Sequence, residues 1–203
     1  MSPAVPRAQR VPVGEPAVVA VGGNLGDREA TIRAAVDDLA ATPGVIVTAV
    51  SALIETVAVR LDGADRDAPR YLNGVVLLDT VLEPHDLLDV LHRIEDAHGR
   101  ERAERWGDRT LDLDLITMGE RRIDDPPGPR SLTLPHPRAA EREFVLAPWL
   151  AVDPDAELPG AGRVDALLAR RPTGSDPTAD VVDGTATGFA ASGSASNGTE
   201  DAS

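Results

Sequence analysis

An α+β fold, an antiparallel-rich sheet with helices packed on it, is predicted by three observations in this sequence. Short apolar and β-branched runs alternate with segments whose apolar residues recur at helical spacing. Glycine and proline stand between these segments where strands turn and helices stop. The resulting order, β-α-β-β-α-β, is that of a ferredoxin-like α/β sandwich.

Residues 1–16 contain four prolines and no apolar run, and read as a disordered leader. Residues 17–21, Ala-Val-Val-Ala-Val, suit a central strand that ends at Gly22-Gly23-Asn24-Leu25-Gly26-Asp27. Asp27 can cap a helix over 28–41, where Ile32, Val36 and Leu39 follow i, i+4, i+7 spacing. Pro43-Gly44 stops that helix. The β-branched stretch 45–56 predicts a strand, 62–70 a polar loop, and 74–81 the next strand. Pro84 fits the first turn of a helix whose stripe is Leu87, Leu88, Leu91 and Ile94, with Gly99 as its stop. A strand follows from Leu111, then a turn at Gly119 and a short return strand at 121–123. A helix is predicted over 139–149, ending or bending near Ala147 because Pro148 follows, and a last one over 164–170. From Pro172 the composition shifts to Gly, Ser, Thr, Ala and Asp with Phe189 as its single aromatic residue. Such a segment buries too little apolar surface to offset its ordering entropy. One domain over 17–171 is therefore expected, flanked by the leader and a disordered tail over 172–203.

The formal net charge of −14 argues against a general nucleic-acid binder, which would carry a basic face. All 20 basic residues are arginine. A lysine-dependent phosphate loop and lysine Schiff-base chemistry are thereby excluded. With no cysteine, disulfides and thiolate metal sites are excluded too. No early apolar run is long enough for a secretory or membrane segment. A cytoplasmic protein without membrane attachment is the expectation.

The most informative stretch is Arg109-Thr-Leu-Asp-Leu-Asp-Leu-Ile116. On a strand, Leu111, Leu113 and Leu115 share one face and Asp112 and Asp114 the other. The two carboxylates then sit on Cα atoms about 6.5–7 Å apart, close enough to hold or bridge hard cations. Arg100, Arg102, Arg105 and Arg109, with Trp106 among them, lie just upstream. Carboxylates for magnesium beside arginines for phosphate are what phosphoryl transfer requires, because its transition state is stabilised by positioning and charge. Taken singly, the aspartates could be a solvated strand face and the arginines surface ion pairs with Glu101 and Glu104. Their adjacency favours the functional reading.

The element Arg105-Trp-Gly-Asp-Arg-Thr-Leu-Asp-Leu-Asp114 closely resembles that of the 6-hydroxymethyl-7,8-dihydropterin pyrophosphokinases of folate biosynthesis. Gly99-Arg-Glu-Arg102, Leu132-Thr-Leu-Pro-His136, Gly22-Gly-Asn-Leu-Gly26 and Tyr71-Leu-Asn73 extend the resemblance over about 17–168. The resemblance implies pyrophosphoryl transfer from ATP to the pterin's hydroxymethyl oxygen, with release of AMP. It implies two Mg2+ ions on Asp112 and Asp114, with Arg100 and Arg109 as further catalytic residues. ATP contacts are implied for Glu95, Arg102, Arg105, Trp106, Leu115, Thr133, His136 and Arg142. Tyr71 and Phe144 resemble the rings that sandwich the pterin, Asn73 the group on its edge, and Thr56, Val57, Val59 and Trp106 the rest of that pocket. A flat heteroaromatic ring favours such stacking, and the chain has only five aromatic residues to spend. A monomer is the expected state. Gly99 and Gly107 flank the arginine loop and suit a lid that closes on ATP.

The sequence departs from the family pattern at Asp108, where proline is common, at Gly23, along Thr56-Val-Ala-Val59, and in a longer loop over 60–70. Two other readings compete: a transferase using the same aspartate pair on another small alcohol, and a non-enzymatic regulatory module. The paired Tyr71 and Phe144 favour the pterin enzyme over the first; the intact aspartate pair disfavours the second.

Overall fold

The computed structural model describes residues 14–56, 58–60, 63–65, 70–99, 110–170 and 180–181. β1 (Glu15–Gly23) is apolar on both faces because both become covered, which is how a central strand reads. It opens two residues inside the predicted leader, Glu15 and Pro16 pairing with Thr80 and Asp79. α1 (Arg28–Ala40) starts at Asp27, whose carboxylate accepts from the Ala30 N–H at 3.1 Å. The predicted strand over 45–56 is two strands, β2 (Val45–Val50) and β3 (Ile54–Thr56), interrupted at 51–53. The interruption has a local cause: the Ser51 hydroxyl accepts from the Val75 N–H (2.9 Å), replacing a ladder bond by a side-chain bond.

A small hairpin, β4 (Ala58–Arg60) with β5 (Gly63–Asp65), occupies part of the predicted polar loop. β6 (Tyr71–Thr80) begins three residues earlier than expected, because Tyr71, Leu72 and Asn73 pair with β3. α2 (Pro84–Ala97) and β7 (Asp112–Met118) follow, then β8 (Ile123–Asp124) paired with β9 (Thr133–Leu134). The helix predicted over 139–149 is a 3-10 turn (Ala139–Glu141) and α3 (Glu143–Val152), which runs through Pro148 rather than ending before it. Burial of Leu146, Pro148 and Trp149 against the sheet holds that turn in place despite the missing N–H. β10 (Glu157–Leu158), β11 (Gly162–Arg163) and α4 (Val164–Ala169) complete the domain. Within the segment predicted to be a tail, β12 (Asp180–Val181) pairs with β3, whose edge offers unpaired backbone groups.

The main sheet has the order β12-β3-β6-β1-β7, with β2 sharing the β3 side of β6. Its pairs are antiparallel, so the predicted α+β sandwich holds. One face carries Val19, Val21, Leu72, Val76, Leu113 and Leu115 against α1 and α2. The other carries Val18, Ala20, Val75 and Ile116 against α3 and α4. In the β1–β7 pairing, Val19 meets Leu115 but Val18 meets Thr117, so Ile116 is an extra residue. This bulge lets β7 keep both aspartates on the α3 face while Met118 returns to the α1–α2 core.

Candidate active site

The pairing register gathers the predicted site at one end of the sheet. Asp112, Gly22, Asn73 and Ile54 form one row across β7, β1, β6 and β3, and Asp114 lies in the row with Ala20 and Val75. Across-strand partners share a face, so Asp112 and Asn73 flank the bare backbone of Gly22 at a separation of about 9–10 Å, two strand spacings. Gly22 is required there: a Cβ would lie 2.7 Å from Asn73 Oδ1. The sequence contained the glycine, but its position between two functional side chains follows only from strand order.

β7 alternates as its sequence demands, with Leu111, Leu113 and Leu115 buried and Asp112 and Asp114 partly exposed. Arg142, just ahead of α3, donates from Nη1 to Asp114 Oδ2 at 2.5 Å. Its guanidinium carbon also stands 5.7 Å from the centre of the Phe144 ring, a cation–π contact. Arg142 therefore joins the predicted metal ligand to the predicted pterin-stacking ring.

The His136 N–H donates to the Ile116 carbonyl (2.8 Å), which fixes the following loop to β7. Its Nδ1 accepts from the Arg138 N–H (3.2 Å), so the neutral ring carries its proton on Nε2, the nitrogen 3.8 Å from Asp114 Oδ2. Burial pushes the His136 pKa down, and Arg142 and Arg138 add to this against the opposing field of Asp114. The ring is thus neutral near pH 7 and can donate a hydrogen bond without bringing a charge. Thr133, partly exposed on β9, lies three residues before it.

On the other side of Gly22, Asn73 Nδ2 donates to Thr56 Oγ1 at 2.8 Å, and both residues are buried. Tyr71 faces Thr56 across the β3–β6 ladder. Next to them Glu55 receives Arg28 (3.0 Å) and Arg70 (3.3 Å), anchoring β3 to the start of α1. That pairing had no signal in sequence spacing.

Two of the residues expected to contact ATP have side chains buried in the fold. Leu115 is 3% exposed, its side chain packed into the α1–α2 core because it alternates with the aspartates. Glu95 is 1% exposed on α2, and its Oε1 accepts from the Leu113 N–H at 2.8 Å. It holds the backbone between Asp112 and Asp114 from behind. Arg100, Arg102, Arg105, Trp106, Arg109, the departure at Asp108, and Val57 lie outside the described residues; Val59 is on β4. The ends of the arginine segment are close together: the Thr110 hydroxyl donates to the Gly99 carbonyl at 3.4 Å. Among the described residues no group of three or more acidic, histidine or cysteine side chains is placed to hold a metal ion.

A family model described as 7,8-dihydro-6-hydroxymethylpterin-pyrophosphokinase matches residues 18–154. Three relatives named 2-amino-4-hydroxy-6-hydroxymethyldihydropteridine pyrophosphokinase are similar over most of their length. The protein of Methylorubrum extorquens is 39% identical over 158 residues, covering 78% of this chain and 95% of its own. That of Pseudomonas aeruginosa is 43% identical (76% and 90% covered), and that of Mycobacterium leprae 44% (75% and 81%). Among solved structures, wild-type Plasmodium falciparum HPPK-DHPS with pteroate aligns with a TM-score of 0.59 at 13% identity. The alignment covers 76% of this chain and 42% of that one, so this chain spans under half of its length. At that identity the likeness speaks for the fold alone.

Proposed function

The chain belongs to the 7,8-dihydro-6-hydroxymethylpterin-pyrophosphokinase family, and from that premise we propose how its residues divide the work. The reaction moves the β- and γ-phosphates of ATP to the hydroxymethyl oxygen of 6-hydroxymethyl-7,8-dihydropterin, a step of folate biosynthesis. The hydroxymethyl oxygen attacks the β-phosphorus, the bond from that phosphorus to the AMP oxygen breaks, and the hydroxyl proton passes to solvent. The products are AMP and the pterin diphosphate.

Asp112 and Asp114 would hold magnesium, with two ions as the full complement. The donor set fits: two oxygen ligands on one partly exposed face suit an ion that keeps waters and takes phosphate oxygens for its remaining positions. Bound there, magnesium would neutralise charge on the transferring phosphates. Arg142 balances the paired carboxylates and can turn to phosphate oxygens, a bidentate match for its guanidinium. Neutral His136 offers its Nε2 proton to the same oxygens. Tyr71 and Phe144 receive the pterin between them, and the Asn73–Thr56 pair, locked by its own hydrogen bond, presents the Asn73 amide to the ring's edge. Arg100, Arg102, Arg105 and Arg109, with Trp106, are assigned to closure over ATP; the flanking Thr110 donates to the Gly99 carbonyl at 3.4 Å.

The row Asp112–Gly22–Asn73 carries this reading, because it aligns a cation side and a pterin side across one bare residue. A monomer is the proposed working unit. No helix among the described residues is long and apolar enough to cross a membrane, and the cytoplasm is the proposed location. Incubation with ATP, magnesium and the hydroxymethyl dihydropterin is expected to release AMP with the pterin diphosphate. ADP as the nucleotide product would refute the pyrophosphoryl assignment.

A further inference from the structure

Glu95 supports the aspartate strand from behind, and a second acid stands in the same relation to the other half of the site. Glu55 lies between Ile54 and Thr56 on β3, opposite Leu72, which lies between Tyr71 and Asn73 on β6. Across-strand partners share a face. Thr56 with Tyr71 and Ile54 with Asn73 therefore belong to the site face, and Glu55 with Leu72 to the α1–α2 face. There Glu55 takes two arginines on separate oxygens. Arg28 Nη1 donates to Oε1 at 3.0 Å, and Arg70 Nη1 to Oε2 at 3.3 Å. Arg28 Nη1 also donates to the Arg70 carbonyl at 2.6 Å, on the backbone just before Tyr71.

This clasp closes the rung that most needs it. β1 pairs with β6 only as far as Gly23 and Leu72, so Tyr71 has its ladder partner on β3, in Thr56. That rung is also the last of the β3–β6 pairing, and end rungs open most readily. Glu55 and Arg70 adjoin it, one on each strand, and Arg28 spans the two. Helix stability does not account for Arg28. A cation in the first turn opposes the helix dipole, and α1 is docked by its buried Ile32, Ala35, Val36 and Leu39. Nor is the cluster part of the core: the side chains of Arg28, Glu55 and Arg70 are 29%, 21% and 42% exposed. Ion pairs so placed add little to overall stability.

We propose that Arg28 and Glu55 are positioning residues for the pterin. From behind the sheet they hold the Thr56–Tyr71 rung, and with it the stacking ring and the Asn73–Thr56 pair. The inference rests on the reading of Tyr71 and Asn73 as pterin contacts. Because the clasp lies on the opposite face, it acts through the rung alone. Its loss weakens pterin binding and leaves the cation side, across Gly22, as it was.

In the full chain, Arg28→Ala and Glu55→Ala are each expected to raise KM for the pterin roughly 5- to 10-fold, with kcat and KM for ATP within about 2-fold of the parent. Arg28 uses one nitrogen for both bonds, so Arg28→Lys, which keeps a cation with several donors, should recover most of the loss. A pterin KM that stays at the parent value, or a rise shared equally by both substrates, would overturn the proposal. Hydrogen exchange gives a readout without turnover. In Arg28→Ala the amides over 54–56 and 71–73 should exchange about 10-fold faster, while those over 75–78 keep the parent rate. Unchanged exchange over 71–73, or a general acceleration that includes 75–78, would overturn the proposal as well. A parent chain that releases no AMP would instead refute the reaction assigned above, a result distinct from an active parent whose variants keep its pterin KM.

Discussion

Asp114 faces Arg142 at 2.5 Å and the His136 ring at 3.8 Å, so one carboxylate joins β7 to both the loop before α3 and the turn after β9. Asp114→Ala is expected to lower kcat by ~10^3-fold or more while the circular dichroism spectrum is unchanged, since it removes a proposed metal ligand and not a core group. A near-normal rate of AMP release would refute the metal assignment. Tyr71→Ala should instead raise KM for the pterin about 10-fold and leave KM for ATP alone, the scale of a lost aromatic contact. His136 gives a pH prediction whose sign follows from its environment. Its native pKa lies below the ordinary 6.5, chiefly through burial, so on acidification the unfolded chain takes up the proton first. Its contribution to stability is complete above 6.5 and is lost as pH falls through the native value. In urea titrations between pH 7 and pH 5, His136→Asn should therefore show a shallower loss of stability than the parent. At this scale the sequence was legible where alternation decides direction: Asp112 and Asp114 point away from the leucines as period two requires. That Arg142 would partner Asp114 was not legible, because a separation of 28 positions carries no periodic relation.

β7 is an outer strand of the sheet, yet its backbone is held on both sides at the point that matters, by β1 and by the Glu95 carboxylate. The family resemblance pointed to Glu95 as a nucleotide contact. The packing of α2 against β7 adds a role that the sequence did not show, that of acceptor for the Leu113 N–H. Glu95→Ala is expected to cost about 1–3 kcal/mol by leaving that N–H without its partner, while Glu95→Gln, which keeps an acceptor oxygen, should restore most of the loss. Guanidinium denaturation of the two variants separates these outcomes; equal losses would refute the role. The longer strands and helices were otherwise readable from spacing and caps, as at Asp27, but the short hairpins β4–β5 and β10–β11 were not. Interruptions were not: the break at 51–53 depends on Ser51 meeting a strand 24 residues away, and the passage of α3 through Pro148 depends on what Trp149 packs against.

The molecule as a whole is a sheet clad on two sides by helices drawn from different parts of the chain. α1 and α2 are interleaved with the strands, whereas α3 and α4 come after β7, with only β12 of the main sheet following them. That the first layer would pack on the sheet was evident from the β-α-β-β-α-β order. That a second layer would cover the opposite face was hidden, because short helical segments after β7 do not declare which surface they cover; the uniformly apolar β1 was the one hint. Synthesis on the ribosome exposes what this order entails. A nascent chain that has emerged only through Gly119 can pair all of β1, β2, β3, β6 and β7, yet Val18, Ala20, Val75 and Ile116 then face water. A fragment spanning 14–119 should accordingly bind a hydrophobic dye and sediment as aggregate, whereas one spanning 14–170 should stay dispersed. A translation pause with Gly119 at the tunnel mouth would hold the chain in its stickiest form, with Arg142 and Phe144 yet to emerge.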